Sequence, residues 1–187
     1  MGNIFFTADW HFNHDREFIY KPRGFNSVYE MNEALIERHN SVVNPEDDVY
    51  VLGDLMLGNN EEAIKMVKQL KGNLHIVRGN HDTNSRLAMY NDCWNVVDIS
   101  EGQYFKFGKY NFYLNHYPTI TSNLEKSPHM SEHIVNLFGH THQKTNFYNG
   151  IPFMYHVGVD SHLCYPVKIE RIIEDIKNEI ADCLDYL

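Results

Sequence analysis

The chain has 187 residues, 43% hydrophobic and 22% charged, with a formal net charge of -9; this suits one globular domain over residues 1–187 and argues against disorder or a fibrous repeat. An acidic surface repels a polyanion, so no extended nucleic-acid binding is expected, although a local cationic site for a small phosphorylated substrate is compatible with it. Cys93, Cys164 and Cys183 form no C-x-x-C pair, and without a basic leader or a long apolar run the reading is a cytoplasmic protein with reduced thiols and no membrane span.

Residues 3–8 (Asn-Ile-Phe-Phe-Thr-Ala) form an apolar run that stops at Asp9, the pattern of a buried strand ending in a polar loop. Asp9-Trp10-His11 then sets a carboxylate and an imidazole two residues apart, which an extended backbone would point to one side. His14 follows in the same loop, as a phosphate contact or a surface histidine. Arg23, in Lys21-Pro22-Arg23-Gly24-Phe25, is either a guanidinium fork for a phosphate oxygen or a solvated loop charge. Ser27-x-x-Glu30 is a capping box, and Val28, Met31, Leu35 and Ile36 continue it at helical spacing.

A second apolar run, Val49 to Leu52, ends at Gly53-Asp54. A helix follows from near Asn60, with Ala63, Ile64, Val67 and Leu70 on its apolar face and Gly72 as its stop. Leu74 to Val77 leads into Gly79-Asn80-His81-Asp82, where an amide oxygen, an imidazole and a carboxylate lie together. Asn111 to Leu114 precedes Asn115-His116, and Ile134 to Phe138 precedes Gly139-His140-Thr141-His142. Ile169, Ile172, Ile173, Ile176 and Ile180 predict an amphipathic C-terminal helix that covers a sheet face.

Between these runs, the polar stretch from Pro118 to His133 reads as a loop over the site. His129-Met130-Ser131-Glu132-His133 lacks the H-E-x-x-H order of a zinc helix and is taken as part of that loop. His39 and His75 are read as structural. His156 and His162 flank Asp160 without an assigned role.

Any one of the motif residues could be a core histidine or a capping carboxylate. Five apolar strands each ending in a metal-type residue is a different observation, because strand ends along one sheet edge converge on one crevice. Neutral imidazoles with carboxylates suit Mn, Fe, Ni or Zn better than Ca or Mg.

The ordered series Asp9-x-His11, Gly53-Asp54, Gly79-Asn80-His81-Asp82, His116 and Gly139-His140-x-His142 resembles the calcineurin-like metallophosphoesterase superfamily. His11-Phe12-x-His14, His39-Asn40-Ser41-Val42-Val43 and Val157-Gly158-Val159-Asp160 resemble its small bacterial and phage branch. The resemblance implies an α/β fold, a four-layer α/β/β/α sandwich of two mixed sheets flanked by helices, with two divalent transition-metal ions, Mn foremost. On it, Asp9, His11 and His142 hold one ion, Asn80, His116 and His140 the other, and Asp54 bridges them. A bridging hydroxide then attacks the phosphate, His81 hydrogen-bonds it or protonates the leaving oxygen, and Asp82 orients the His81 ring.

The expected reaction is hydrolysis of a small phosphodiester or nucleotide-like compound. A phosphomonoesterase or phosphoprotein phosphatase with the same site is the alternative, and a metal-free protein-binding scaffold of the same fold is the alternative of another class. Oligomeric state is not indicated.

Overall fold

The computed structural model describes residues 2–121 and 129–185, and the side chains up to residue 182. In chain order the elements are β1 (Ile4–Thr7), α1 (Glu17–Tyr20), α2 (Val28–Val42), β2 (Asp48–Leu52), α3 (Asn60–Val67), β3 (Asn73–Val77), α4 (Asn84–Asn91), β4 (Val96–Ser100), β5 (Gln103–Phe107), β6 (Tyr110–Leu114), β7 (Ile134–Phe138), β8 (Phe147–Tyr148), β9 (Ile151–His156), β10 (Val167–Lys168) and α5 (Ile169–Asp185). A 3-10 turn spans Met130–Glu132.

The strands form two mixed sheets, ordered β10-β1-β2-β3-β4 and β5-β6-β7-β9-β8. β1 to β4 run parallel and β10 pairs antiparallel with β1. In the second sheet β6, β7 and β9 run parallel, with antiparallel β5 and β8 at its edges. Two mixed sheets flanked by helices are the α/β architecture that the sequence predicts.

Alternation along β1 and β2 explains why two cores form. Phe5, Val49 and Val51 face one way, into a cluster with Met31, Leu35, Ala63, Val67 and Tyr90 from α2, α3 and α4. Phe6, Tyr50 and Leu52 face the other way, toward Phe112, Leu137 and Tyr155 of the second sheet. A period of two along a strand gives each buried side its own set of side chains.

The isoleucine stripe of α5 contributes Ile169, Ile172, Ile173 and Ile176 to this second cluster. The helix touches β1 and β10 of one sheet and β9 of the other, so it spans both sheets rather than lying on one.

Local signals behave as their chemistry requires. Ser27 accepts from the Glu30 amide at the start of α2, and the Glu30 carboxylate reaches back to the Asn26 amide at 2.8 Å, one residue beyond the usual capping box. Asn59 caps α3 through the amides of Glu61 and Glu62. That helix ends at Val67, before Leu70, although Leu70 remains fully buried.

Candidate metal centre

β1, β2, β3, β6 and β7 all point their C-terminal ends at one crevice, delivering Asp9, Asp54, Asn80, His116 and His140 respectively. The chain does not stay extended there. Asp9, His11, Asp54, His140 and His142 have φ of 59°, 51°, 55°, 67° and 49°, a left-handed conformation that costs a non-glycine residue about 1–3 kcal/mol. The alignment of Asp9 with His11 therefore comes from a coiled loop and not from the extended backbone expected. That loop is pinned to the one after β2, with Asp9 N donating to Gly53 O and His11 N to Asp54 O, both at 3.0 Å. Trp10, between them, is buried in the helix-side core. Gly53 is indispensable at its position, since a Cβ would lie 2.5 Å from His116 Nδ1 and 2.6 Å from Gly79 Cα.

The polar side chains gather as two overlapping groups. Asp9, His11 and His142 each offer a ligand atom, all within 4.8 Å of one another, and so do Asp9, Asp54 and His116. His11 Nε2 and His142 Nε2 are 3.1 Å apart. Asn80 Oδ1 lies 2.8 Å from His116 Nε2 and 2.9 Å from His140 Nδ1. Asp54 Oδ2 stands between the groups, 3.7 Å from His11 Nε2 and 3.6 Å from His116 Nε2. Asp9 belongs to both groups as well, which the sequence assignment of Asp54 as the sole shared carboxylate does not anticipate.

Burial raises the Asp9 carboxyl to about 6 and also raises that of Asp54, while it drives the His11 imidazole well below its usual range and lowers His140. These two carboxylates are almost completely buried, and among the described residues neither has a Lys or Arg ion pair. Buried anions require a cation or a proton. Converging imidazole, carboxylate and amide lone pairs with no cation supplied by the protein fit a bound divalent ion.

Partners behind these groups fix their rings. His116 Nδ1 contacts Leu52 O at 2.8 Å, which directs Nε2 into the crevice. His142 Nδ1 contacts Asp160 Oδ2 at 2.8 Å. Burial lowers the His142 pKa, but the Asp160 hydrogen bond and the charge of Asp9 outweigh it and leave the ring raised.

Asp160 is gripped by Arg23, Nε to Oδ1 and Nη2 to Oδ2, each at 2.9 Å. The Arg23 side chain is only 2% exposed, and it also donates to the backbone oxygens of Asp9 and Trp10. Its donors are thus committed inside the protein. The expectation of a substrate-facing fork at Arg23 is corrected to a brace behind His142.

Asp82 requires a second correction. Its Oδ2 accepts from the amides of Asp54 at 2.9 Å and Gly79 at 2.8 Å, and its Oδ1 accepts from Tyr90 Oη at 2.8 Å. It ties two loops together instead of orienting the His81 ring. The acceptor capacity of a carboxylate satisfies three donors in a dry interior, where an unpaired one would be costly.

His81 stands at the rim with 44% of its side chain exposed and Nε2 3.9 Å from Asp54 Oδ2, and its amide donates to Asp54 Oδ1 at 2.8 Å. His14 lies beside the His11 ring, centroids 5.4 Å apart. Both line a groove of about 590 Å³ with His11, Phe18, Ile19, Pro22, His142, Lys144 and Asp160.

The described part of the loop expected over the site lies elsewhere. Thr119 N binds Asn136 Oδ1 at 2.7 Å, so the chain doubles back along β7. His133 stacks on Phe153 with centroids 3.8 Å apart, at the end of β7 remote from His140. Residues 122–128 fall outside the described part of that loop.

One site residue, Tyr117, escapes the sequence reading, and His156, which that reading leaves without a role, joins the site. Tyr117 packs against His140, centroids 4.8 Å apart, a contact that an aromatic directly after His116 could have suggested. His156 is fully buried, with Nδ1 2.8 Å from Ser161 Oγ and Nε2 3.9 Å from Asp9 Oδ2. His162 Nε2 bonds the His156 carbonyl at 2.9 Å.

Fold and crevice together are those of a phosphoesterase domain with a candidate metal centre. The model of the calcineurin-like phosphoesterase superfamily domain matches residues 3–159, and the chain belongs to that superfamily. It is 30% identical over 188 aligned residues to an uncharacterized protein of Methanocaldococcus jannaschii, covering 95% of this chain and 93% of that one. It is 31% identical over 86 residues to the gene 66 protein of Mycobacterium phage L5, covering 44% of this chain and 41% of that one. The solved structure of a protein of unknown function from Aquifex aeolicus, AQ665, superposes with a TM-score of 0.68 at 21% identity, over 93% of this chain and 99% of that one. This last likeness is one of fold.

Proposed function

We propose that the protein is a two-metal phosphodiesterase acting on a small, nucleotide-like phosphate ester in the cytoplasm. The observation that carries the reading is the placement of Asp54 Oδ2 almost equally far from His11 Nε2 and His116 Nε2, at 3.7 and 3.6 Å, where one carboxylate can serve two neighbouring ions. Asp9, His11 and His142 would hold one ion and Asn80, His116 and His140 the other, with Asp54 shared and Asp9 within reach of both. Mn is the favoured metal, with Fe, Ni or Zn as other candidates for this donor set.

When bound, such ions supply Lewis acidity and lower the pKa of water toward ~7. The residues of the chain do the rest. His81, exposed at the rim, carries a proton at Nε2 toward the leaving oxygen. His14, on the groove wall, contacts a non-bridging phosphate oxygen. Asp82 holds the Asp54 and Gly79 amides so that the two loops keep their spacing, and Asp160 with Arg23 fixes the His142 ring. A chain with an acidic surface is suited to a compact ligand rather than a polymer.

A screen with Mn, Fe, Ni and Zn over bis-p-nitrophenyl phosphate, p-nitrophenyl phosphate, cyclic nucleotides and dinucleoside polyphosphates tests the reading. Metal-dependent hydrolysis of diesters with His81→Ala strongly impaired is expected. Turnover of monoesters alone would replace the diester assignment with a phosphomonoesterase. Purified protein that holds no transition metal and hydrolyses nothing would point to the scaffold alternative.

A further inference from the structure

The groove beside the metal centre is lined by His11, His81 and His142 and by the apolar side chains of Phe18, Ile19 and Pro22. Phe18 is 69% exposed, an unusual position for a phenyl ring beside a polar crevice. It is nevertheless held in place, because its ring meets that of His14 edge to face, centroids 5.8 Å apart at 88°. His14 in turn lies 5.4 Å from His11. A line of rings therefore leads from a candidate metal ligand to an open aromatic face.

Lys144 lines the same groove. Its ammonium contacts only the Pro22 carbonyl, at 3.2 Å, and among the described residues it forms no ion pair. In a protein of net charge -9, an uncompensated cation next to a phosphoester site favours a second anionic group or an electron-rich ring edge on the ligand. An exposed flat ring, apolar neighbours and one cation match the requirements for stacking a nucleobase, since every base has a π-face and stacking needs no particular hydrogen-bond pattern.

We infer that this groove is a nucleobase subsite in which Phe18 stacks the base and Lys144 faces its polar edge or an adjoining phosphate, while the ester phosphate sits at the His11–His81–His142 end. The inference rests on the phosphoesterase reading above and names its substrate class as nucleotides. Pro22 and Ile19 line the groove with Phe18, and the ring of His14 packs edge to face against that of Phe18.

The test compares two ligands that share a phosphate and a ribose and differ only in the base. Binding of adenosine 5′-monophosphate and of ribose 5-phosphate to the Mn-loaded protein is measured by titration calorimetry, for the wild type, Phe18→Ala, Phe18→Trp and Tyr29→Ala. Tyr29 is 73% exposed and lines a neighbouring groove, so it controls for any exposed aromatic near the crevice. The wild type should prefer the nucleotide by on the order of tenfold or more. Phe18→Ala should erase most of that preference, Phe18→Trp should restore it, and Tyr29→Ala should leave it in place. Equal affinity of the wild type for both ligands, or a preference that Phe18→Ala leaves intact, overturns the subsite while the phosphoesterase reading stands. If neither ligand binds and the metal-loaded protein hydrolyses no phosphate ester, the phosphoesterase reading itself fails and the subsite fails with it.

Discussion

Arg23 and Asp160 form a two-pronged ion pair, with both N···O distances at 2.9 Å, and the same carboxylate holds the ring of His142. Burial opposes the charge on Asp160, yet His142 and Arg23 keep its carboxyl well below the usual range. Arg23→Ala would leave that carboxylate buried with one partner fewer and should lower stability by about 3–5 kcal/mol, as seen when one member of a buried pair is removed. Arg23→Lys loses the fork and should recover only part of this. Urea unfolding measures the stability change, and competition against a metallochromic dye should show metal affinity falling by roughly 10–100-fold. A variant that binds metal normally and loses only substrate affinity would restore Arg23 as a substrate contact.

His81 and Asp82 are neighbours with opposite expected phenotypes. His81→Ala removes a rim side chain and should reduce turnover by roughly 10²–10⁴-fold while changing stability by less than ~0.5 kcal/mol. Asp82→Ala strands the amides of Asp54 and Gly79 and the hydroxyl of Tyr90, each loss amounting to about 1–3 kcal/mol. That variant should be severely destabilised, and thermal melts beside steady-state rates separate the two cases.

Metal removal should weaken the fold itself. Left-handed backbone at five of the proposed ligands and two buried carboxylates that have no Arg or Lys partner among the described residues leave the crevice internally unfavourable without a cation. Saturating Mn at about a hundred times its dissociation constant should stabilise the protein by ~2.7 kcal/mol. Asp54→Asn should lose most of that gain in a calorimetric melt, even if its metal-free form melts higher than the metal-free wild type because a buried charge has gone.

His39 supplies a pH prediction away from the centre. It is fully buried, with Nε2 2.8 Å from the Lys71 carbonyl, and burial lowers its pKa from 6.5 to about 4. The unfolded chain therefore binds this proton first, so the neutral ring contributes full stability above pH 6.5 and loses it as pH falls toward 4. The loss amounts to roughly 3 kcal/mol. His39→Gln should flatten the dependence of urea-unfolding free energy on pH across that window, and an unchanged slope would assign the acid sensitivity to other groups.

Strand ends were the most legible part of the chain. The runs before Asp9, Asp54, Asn80, His116 and His140 all form strands, because buried parallel strands require near-continuous apolar sequence and ligand-bearing loops interrupt it abruptly. α4 was not legible, since among its eight residues only Tyr90 is buried, which leaves no apolar periodicity to read. The coiled loops were hidden for another reason. No glycine stands beside Asp9 or His11 to announce a left-handed turn, and the direction of these two side chains depends on bonds to a loop more than forty positions away. The roles of Arg23 and Asp160 were obscured by their separation of 137 positions, which no local pattern spans.

Ligand origin divides along the sheet boundary. Asp9, His11, Asp54 and Asn80 follow strands of the first sheet, and His116, His140 and His142 follow strands of the second. A cation seated among them would act as a rivet between two leaves, so that opening the sandwich and releasing the ion become one event. Loss of metal should then be felt as easier parting of the leaves, with faster amide exchange spreading along β6 and β7, far beyond the loops that touch it.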